Sequence, residues 1–156
     1  MKRLFSYFSF RGRTNRQRYW VTGFLLSMLV VVAAFVEAGL APLSVIGVIA
    51  SLLFVVILLA GLVVLFANGA RRLHDRGMTA WWLLLFLVVP MVLSMPGELL
   101  RSSQSEDAQM AGAALALLGL PFSLWGLVVM GFLKGTAGPN KYGDDPLQSA
   151  VQEVFA

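Results

Sequence analysis

Residues 43–67 read LSVIGVIASLLFVVILLAGLVVLFA, an apolar stretch without a single charged residue. A helix needs roughly 20 such residues to cross a hydrocarbon core of about 30 Å, so this stretch is long enough to span a bilayer with some tilt. An isolated β-strand here would leave its backbone N–H and C=O groups unpaired in lipid. The stretch therefore predicts a membrane-spanning α-helix.

The composition of the whole chain agrees with a membrane environment. Of its 156 residues, 58% are apolar and only 13% are charged, whereas a soluble domain is nearer ~45–50% apolar and ~25% charged. This balance argues against both a disordered chain and an ordinary soluble protein. With no cysteine and one histidine, disulfides and a metal site built from Cys and His within one chain are excluded.

Three further apolar stretches flank the first, at residues 19–36, 80–95 (with a possible extension to residue 100) and 110–133. The two short ones begin with aromatic pairs, Tyr19–Trp20 and Trp81–Trp82, which suit the headgroup boundary. Residues 37–42 are expected to form a tight turn and residues 96–109 a loop, and such connections make consecutive spans antiparallel neighbours. We predict an all-α integral membrane protein, a single domain of residues 1–156 forming a four-transmembrane-helix bundle.

The distribution of charge predicts the orientation. All but one of the 12 Lys and Arg residues lie before the first span, in the second connection or in the tail, residues 134–156. The opposite side carries only Arg101, together with four acidic residues. The positive-inside rule then places both termini in the cytoplasm. The formal net charge of +4 is therefore read as a topology signal, and no nucleic-acid partner is expected.

Local signals predict where two helices begin and end. Residues 14–17, TNRQ, have the form of a capping box, so Thr14 is expected to cap the first helix while Gln17 reaches back to it. Gly77 is expected to end the second helix in the left-handed conformation. Three arginines (Arg71, Arg72 and Arg76) would then lie at the negative end of that helix's dipole.

Polar residues concentrate in three segments predicted to be cytoplasmic: residues 5–20, FSYFSFRGRTNRQRYW, residues 70–82, ARRLHDRGMTAWW, and residues 135–146, GTAGPNKYGDDP. Arginine forks bind phosphate bidentately, and Gly12 lets backbone approach closely, so a phospholipid or lipid-linked phosphate headgroup is a candidate ligand. The alternative is that the arginines only fix topology and bind bulk anionic lipid. The candidate residues are Arg13, Arg16, Arg71, Arg72, His74, Asp75, Asn140, Tyr142 and Asp145.

The adjacent residues His74 and Asp75 leave two arrangements open. They point about 100° apart on a helix and cannot form a dyad with each other. In one arrangement Asp75 pairs with an arginine one turn back while His74 lies at headgroup level. In the other, both reach the residue 135–146 segment, which we expect to fold back and close the cytoplasmic end of the bundle, with Asp144 and Asp145 meeting arginines. No residue is assigned to catalysis, to a cofactor or to a metal.

The three segments carry a resemblance to the family of domain of unknown function 805, small bacterial inner-membrane proteins. The family pattern is Phe-x-Gly-Arg followed by Arg and Tyr-Trp, then Arg-Arg-Leu-His-Asp-x-Gly-x-x-x-Trp-Trp, then Gly-x-x-Gly-x-Asn-x-Tyr/Phe-Gly-x-Asp-Pro. The resemblance implies a bacterial inner-membrane protein and implies no activity. The matching residues include Phe10, Gly12, Arg13, Arg16, Tyr19 and Trp20, then Arg71, Arg72, Leu73, His74, Asp75 and Gly77, then Gly135, Gly138, Asn140, Tyr142, Gly143, Asp145 and Pro146.

Three classes of function remain open at this point. The first is a non-enzymatic inner-membrane protein whose cytoplasmic rim binds anionic lipid headgroups or a protein partner. The partner would be another membrane protein or a second copy of this chain in a homo-oligomer. The second is a small transporter or lipid translocase, although the spans carry no ionisable group at mid-depth, which proton-driven transport usually requires. The third is an enzyme that modifies membrane lipids.

Overall fold

The structure, a computed structural model, describes residues 6–40, 44–102 and 105–148. Residues 149–156 of the predicted tail lie outside these ranges. Within the ranges the chain forms four α-helices and no β-strand: α1, Arg16–Leu40; α2, Ser44–Asp75; α3, Val89–Arg101; and α4, Glu106–Leu127. A 3-10 turn, Ser6–Phe8, precedes α1. Two π-helical segments, Leu84–Val88 and Val128–Phe132, lead into α3 and continue α4.

Three helices in the described part of the chain are long and apolar enough to cross a membrane. They are Arg16–Leu40, Val45–Asp75 and Glu106–Phe132, and Leu84–Leu100 is a shorter apolar helix. The all-helical membrane class predicted from the sequence is confirmed. The count of four spans and the orientation of the termini stay predictions.

Two connections are more helical than the sequence suggested. Helix α1 continues through Leu40, so most of the predicted 37–42 turn is helix, and Glu37 within it accepts a hydrogen bond from Ser51 Oγ at 2.9 Å. Pro96, expected in a loop, lies inside α3. A helix satisfies its own backbone groups, and among apolar neighbours that advantage outweighs the single hydrogen bond that a proline removes.

The expected cap of α1 is displaced by one residue. Asn15, not Thr14, caps the helix, because Asn15 Oδ1 accepts the backbone N–H of Arg18 at 2.8 Å. Thr14 is buried, and its backbone N–H donates instead to Arg71 O at 3.2 Å. The predicted end of α2 is confirmed, since Gly77 has φ +72°.

The helices form two hairpins, α1 with α2 and α3 with α4, which meet at one end. A buried apolar cluster lies at this junction. The packing is tight there: a Cβ atom at Gly126 would lie 2.6 Å from Phe86 Cβ. Away from the junction, most large apolar side chains of α1 and α2 are exposed, as expected for surfaces that face lipid. The buried cluster comprises Ala70, Leu73, Leu83, Phe86, Val129 and Met130.

Candidate functional site

Arg72 is the most deeply buried charged residue described at the junction. Its relative exposure is 0%. Its Nη1 donates to Asp75 Oδ2 at 2.5 Å, its Nε donates to Met130 O at 2.7 Å, and its Nη2 donates to Leu133 O. One guanidinium therefore ties the end of α2 to the end of the last helix.

Arg13 approaches the same carboxylate from the segment before α1. Its Nε donates to Asp75 Oδ1 at 3.1 Å, and its side chain is 1% exposed. Its two terminal nitrogens donate to Gly138 O and Thr136 O, each at 2.6 Å. We call Arg13, Arg72 and Asp75 the arginine–aspartate cluster, and the end of the bundle that holds it the polar end. Removing charges from water is costly, and these hydrogen bonds offset that cost.

Residues 135–146, the tail loop, fold back over the end of α2. The backbone N–H and Oγ1 of Thr136 donate to Asp75 O at 2.8 and 2.9 Å. Asn140 Nδ2 donates to His74 O at 3.0 Å. Two chain segments that are about 60 residues apart therefore close the polar end together.

His74 and Tyr142 form the outer layer of this closure. Their rings stack with centroids 3.9 Å apart and planes at 8°. His74 Nδ1 lies 3.2 Å from Gly12 O, and Gly12 adopts φ +88°, a conformation that favours glycine. Both arrangements left open by the sequence are therefore present in part: Asp75 pairs with Arg72, and both His74 and Asp75 contact the tail loop.

Asp145 organises the tail loop from within. Its carboxylate accepts backbone N–H groups from Leu147 at 3.0 Å and Gly138 at 3.1 Å. These two hydrogen bonds hold the pKa of Asp145 below its usual value, with a smaller contribution from the charge of Arg13.

The carbonyl groups at the end of the last helix and just beyond it accept hydrogen bonds from side chains of α1 and from Arg76, the residue after α2. Trp20 Nε1 donates to Gly131 O at 2.9 Å, Arg16 Nη1 to Phe132 O at 3.0 Å, and Arg76 Nη1 to Lys134 O at 3.3 Å. The final carbonyls of a helix lack partners within it and carry partial negative charge, which suits cationic donors. The sequence places Arg72 and Arg76 at the end of their own helix and does not reveal that both bind carbonyl groups at the end of another.

Arg71 has a separate structural role on α2. Its Nε donates to Ala67 O at 3.2 Å and its Nη1 donates to Ser6 O at 3.0 Å, while its own carbonyl accepts Thr14. These bonds hold the segment before α1 against α2.

Other cations of the polar end face outward. Five of them are exposed, among them Lys141 of the tail loop, and we call the other four the basic rim. A polar pocket of about 430 Å³ opens between the start of α1 and the tail loop, with Arg16, Lys134 and Thr136 among its lining residues. The described residues contain no group of three or more His, Asp or Glu side chains that could hold a metal ion. The basic rim consists of Arg11, Arg16, Arg18 and Lys134.

Comparison with known proteins identifies the family to which the chain belongs. The family model described as Protein of unknown function (DUF805) matches residues 7–144. The chain is 27% identical over 154 residues to Inner membrane protein YhaH of Escherichia coli (strain K12), covering 94% of this chain and 93% of the relative. It is 28% identical over 143 residues to Inner membrane protein YhaI of the same organism, covering 90% and 88%. No solved structure matches. The chain belongs to the DUF805 family.

Proposed function

We propose that this protein is a non-enzymatic inner-membrane protein whose basic rim binds anionic lipid headgroups, while the arginine–aspartate cluster holds its helices together. The observation that carries the proposal is the division of the arginines into two groups. Arg13 and Arg72 are buried and direct their donors to Asp75 and to backbone carbonyls. The rim arginines are exposed, and each cation near an anionic bilayer surface contributes about 1 kcal/mol of attraction.

The proposal includes four spans, with Leu84–Leu100 as the third, and a cytoplasmic polar end. It is supported by the positive-inside rule and by relatives that are named as inner membrane proteins. Because the chain has no cysteine, single variants Gln109→Cys and Ala137→Cys report sidedness without background. In intact spheroplasts, a membrane-impermeant maleimide should label residue 109 and should reach residue 137 only after lysis. Three spans, with Leu84–Leu100 not crossing, would reverse this pattern.

Lipid binding is tested with spin-labelled lipids around the purified protein. Phosphatidylglycerol should be motionally restricted more than phosphatidylcholine, and added salt should reduce the difference because it screens exposed charges. The Arg11→Gln/Arg18→Gln variant should lose a large part of this selectivity. The Glu106→Gln/Asp107→Asn variant alters two exposed charges at the other end of α4 and should retain it. Equal restriction of both lipids by the parent protein would contradict the proposal.

A further inference from the structure

An apolar groove of about 730 Å³ runs along the α1–α2 hairpin. Its walls come from residues 19–31 of α1 and 58–68 of α2. Small residues form part of its lining, and its polar residues are few. Residues that define it include Trp20, Gly23, Ser27, Val30, Leu58 and Gly61.

The groove has the length of one leaflet. Thirteen helical positions, 19 to 31, rise about 18 Å, which is close to half of a hydrocarbon core of about 30 Å. The groove starts at Trp20, whose indole is bound to Gly131 O at the polar end, and runs away from that end. A single acyl chain from the adjoining leaflet therefore matches the length of the groove and its apolar lining.

One cation of the basic rim, Arg16, lies on the helix face that lines the groove. Positions 16, 20, 23, 27 and 30 recur at helical spacing and share one face of α1, so Arg16 lies on the same face as the groove, one turn before Trp20. Arg16 is exposed and lines the polar pocket together with Lys134. Asp75 and Asp145 also line this pocket. Asp75 is paired with two arginines, and Asp145 accepts two backbone N–H groups.

We infer that the groove and the polar pocket together hold one anionic glycerophospholipid. One acyl chain lies in the groove between α1 and α2, and the phosphate is bound by Arg16 and Lys134. The inference rests on the proposed function and deepens it, because it adds one specific lipid site to the general attraction between the basic rim and anionic headgroups. The cation pair supplies the charge complementarity, and the groove supplies shape.

Gly23 permits a selective test of the groove. A Cβ atom at Gly23 would meet no atom within 4 Å, so Gly23→Leu fills the groove without a clash at its first carbon. Gly39 lies on the same helix outside the groove and has equally open surroundings, so Gly39→Leu is the matched control. Arg16→Gln tests the phosphate contact, and its hydrogen bond to Phe132 O makes its folding state a required measurement.

The experiment is native mass spectrometry after exchange into detergent with equal dioleoylphosphatidylglycerol and dioleoylphosphatidylcholine. The parent and Gly39→Leu should each retain one phosphatidylglycerol, and Gly23→Leu should lose that bound peak. Arg16→Gln, if folded by circular dichroism, should retain the phosphatidylglycerol about fivefold less well. Retention by Gly23→Leu equal to that of the parent would overturn the single site. In that case salt-sensitive enrichment of several phosphatidylglycerol molecules would leave the rim proposal standing, and equal uptake of both lipids would overturn that proposal as well.

Discussion

Gly135 lies so close to Asp75 that a Cβ atom at residue 135 would overlap the Asp75 carboxylate. The same carboxylate accepts hydrogen bonds from Arg13 and Arg72. The tail loop therefore reaches its place on α2 only because position 135 has no side chain.

Gly135→Ala should displace the tail loop and lower the stability of the protein by about 1–3 kcal/mol, the usual cost of forcing an extra methyl group into a packed site. The measurement is thermal unfolding in detergent. Gly39→Ala is the control, because the same added atom meets open space there. Equal midpoints for Gly135→Ala and the parent would show that the loop does not depend on this contact.

Asp75→Asn should be more damaging, because it leaves two buried guanidinium groups without their counter-ion. Breaking a buried ion pair by removing one partner costs about 3–5 kcal/mol, and the Asp75 side chain is 5% exposed. Chemical unfolding of the purified protein measures the loss. Asp107→Asn removes an exposed carboxylate and should unfold like the parent; a similar small effect at both positions would contradict a structural role for the cluster.

The tail loop should loosen in acid through Asp145. Its pKa is lowered in the folded protein by the N–H groups of Leu147 and Gly138, so the carboxylate stabilises the loop above the ordinary Asp pKa of about 3.9. That contribution is lost as the pH falls through the lowered value. A spin label at Ala137→Cys should be ordered at pH 7 and more mobile at pH values below the lowered pKa of Asp145.

In the Asp145→Asn background the same label should already be more mobile at pH 7, and the acid transition should be absent. Asp144→Asn is the neighbouring control and should retain both the order and the transition. An acid transition that survives Asp145→Asn would assign the effect to another group.

The sequence predicts the helical membrane class because long apolar stretches leave few alternatives in lipid. It also predicts the end of α2, because Gly77 satisfies a local conformational rule. It fails where the outcome depends on distant segments. Thr14 fits a capping box by spacing, but its backbone N–H donates to Arg71 O rather than to the side chain of Gln17, and the oxygen that caps α1 is Asn15 Oδ1.

The same limit applies to the candidate site. The three sequence motifs contain the residues of the polar end, and the return of the tail loop onto His74 and Asp75 is one of the two arrangements that they allow. The motifs do not predict that Arg72 and Trp20 bind the carbonyl groups at the end of the last helix, because these contacts depend on how two hairpins meet. A pattern of arginines alone does not distinguish a guanidinium that binds a carbonyl from one that faces lipid.

The thermal unfolding midpoint, measured with phosphatidylglycerol and with phosphatidylcholine, tests the division of the arginines most directly. A lipid that binds the folded state raises the midpoint. We predict that Arg13→Gln has a lower midpoint than the parent in phosphatidylcholine but keeps the upward shift caused by phosphatidylglycerol. Arg13→Lys should lower the midpoint in phosphatidylcholine by less. Arg11→Gln/Arg18→Gln should start near the parent midpoint and lose the part of the shift that these two exposed cations supply, while Arg16 and Lys134 keep the remainder. The reverse result, a shift lost with Arg13→Gln and kept in full by Arg11→Gln/Arg18→Gln, would contradict the account.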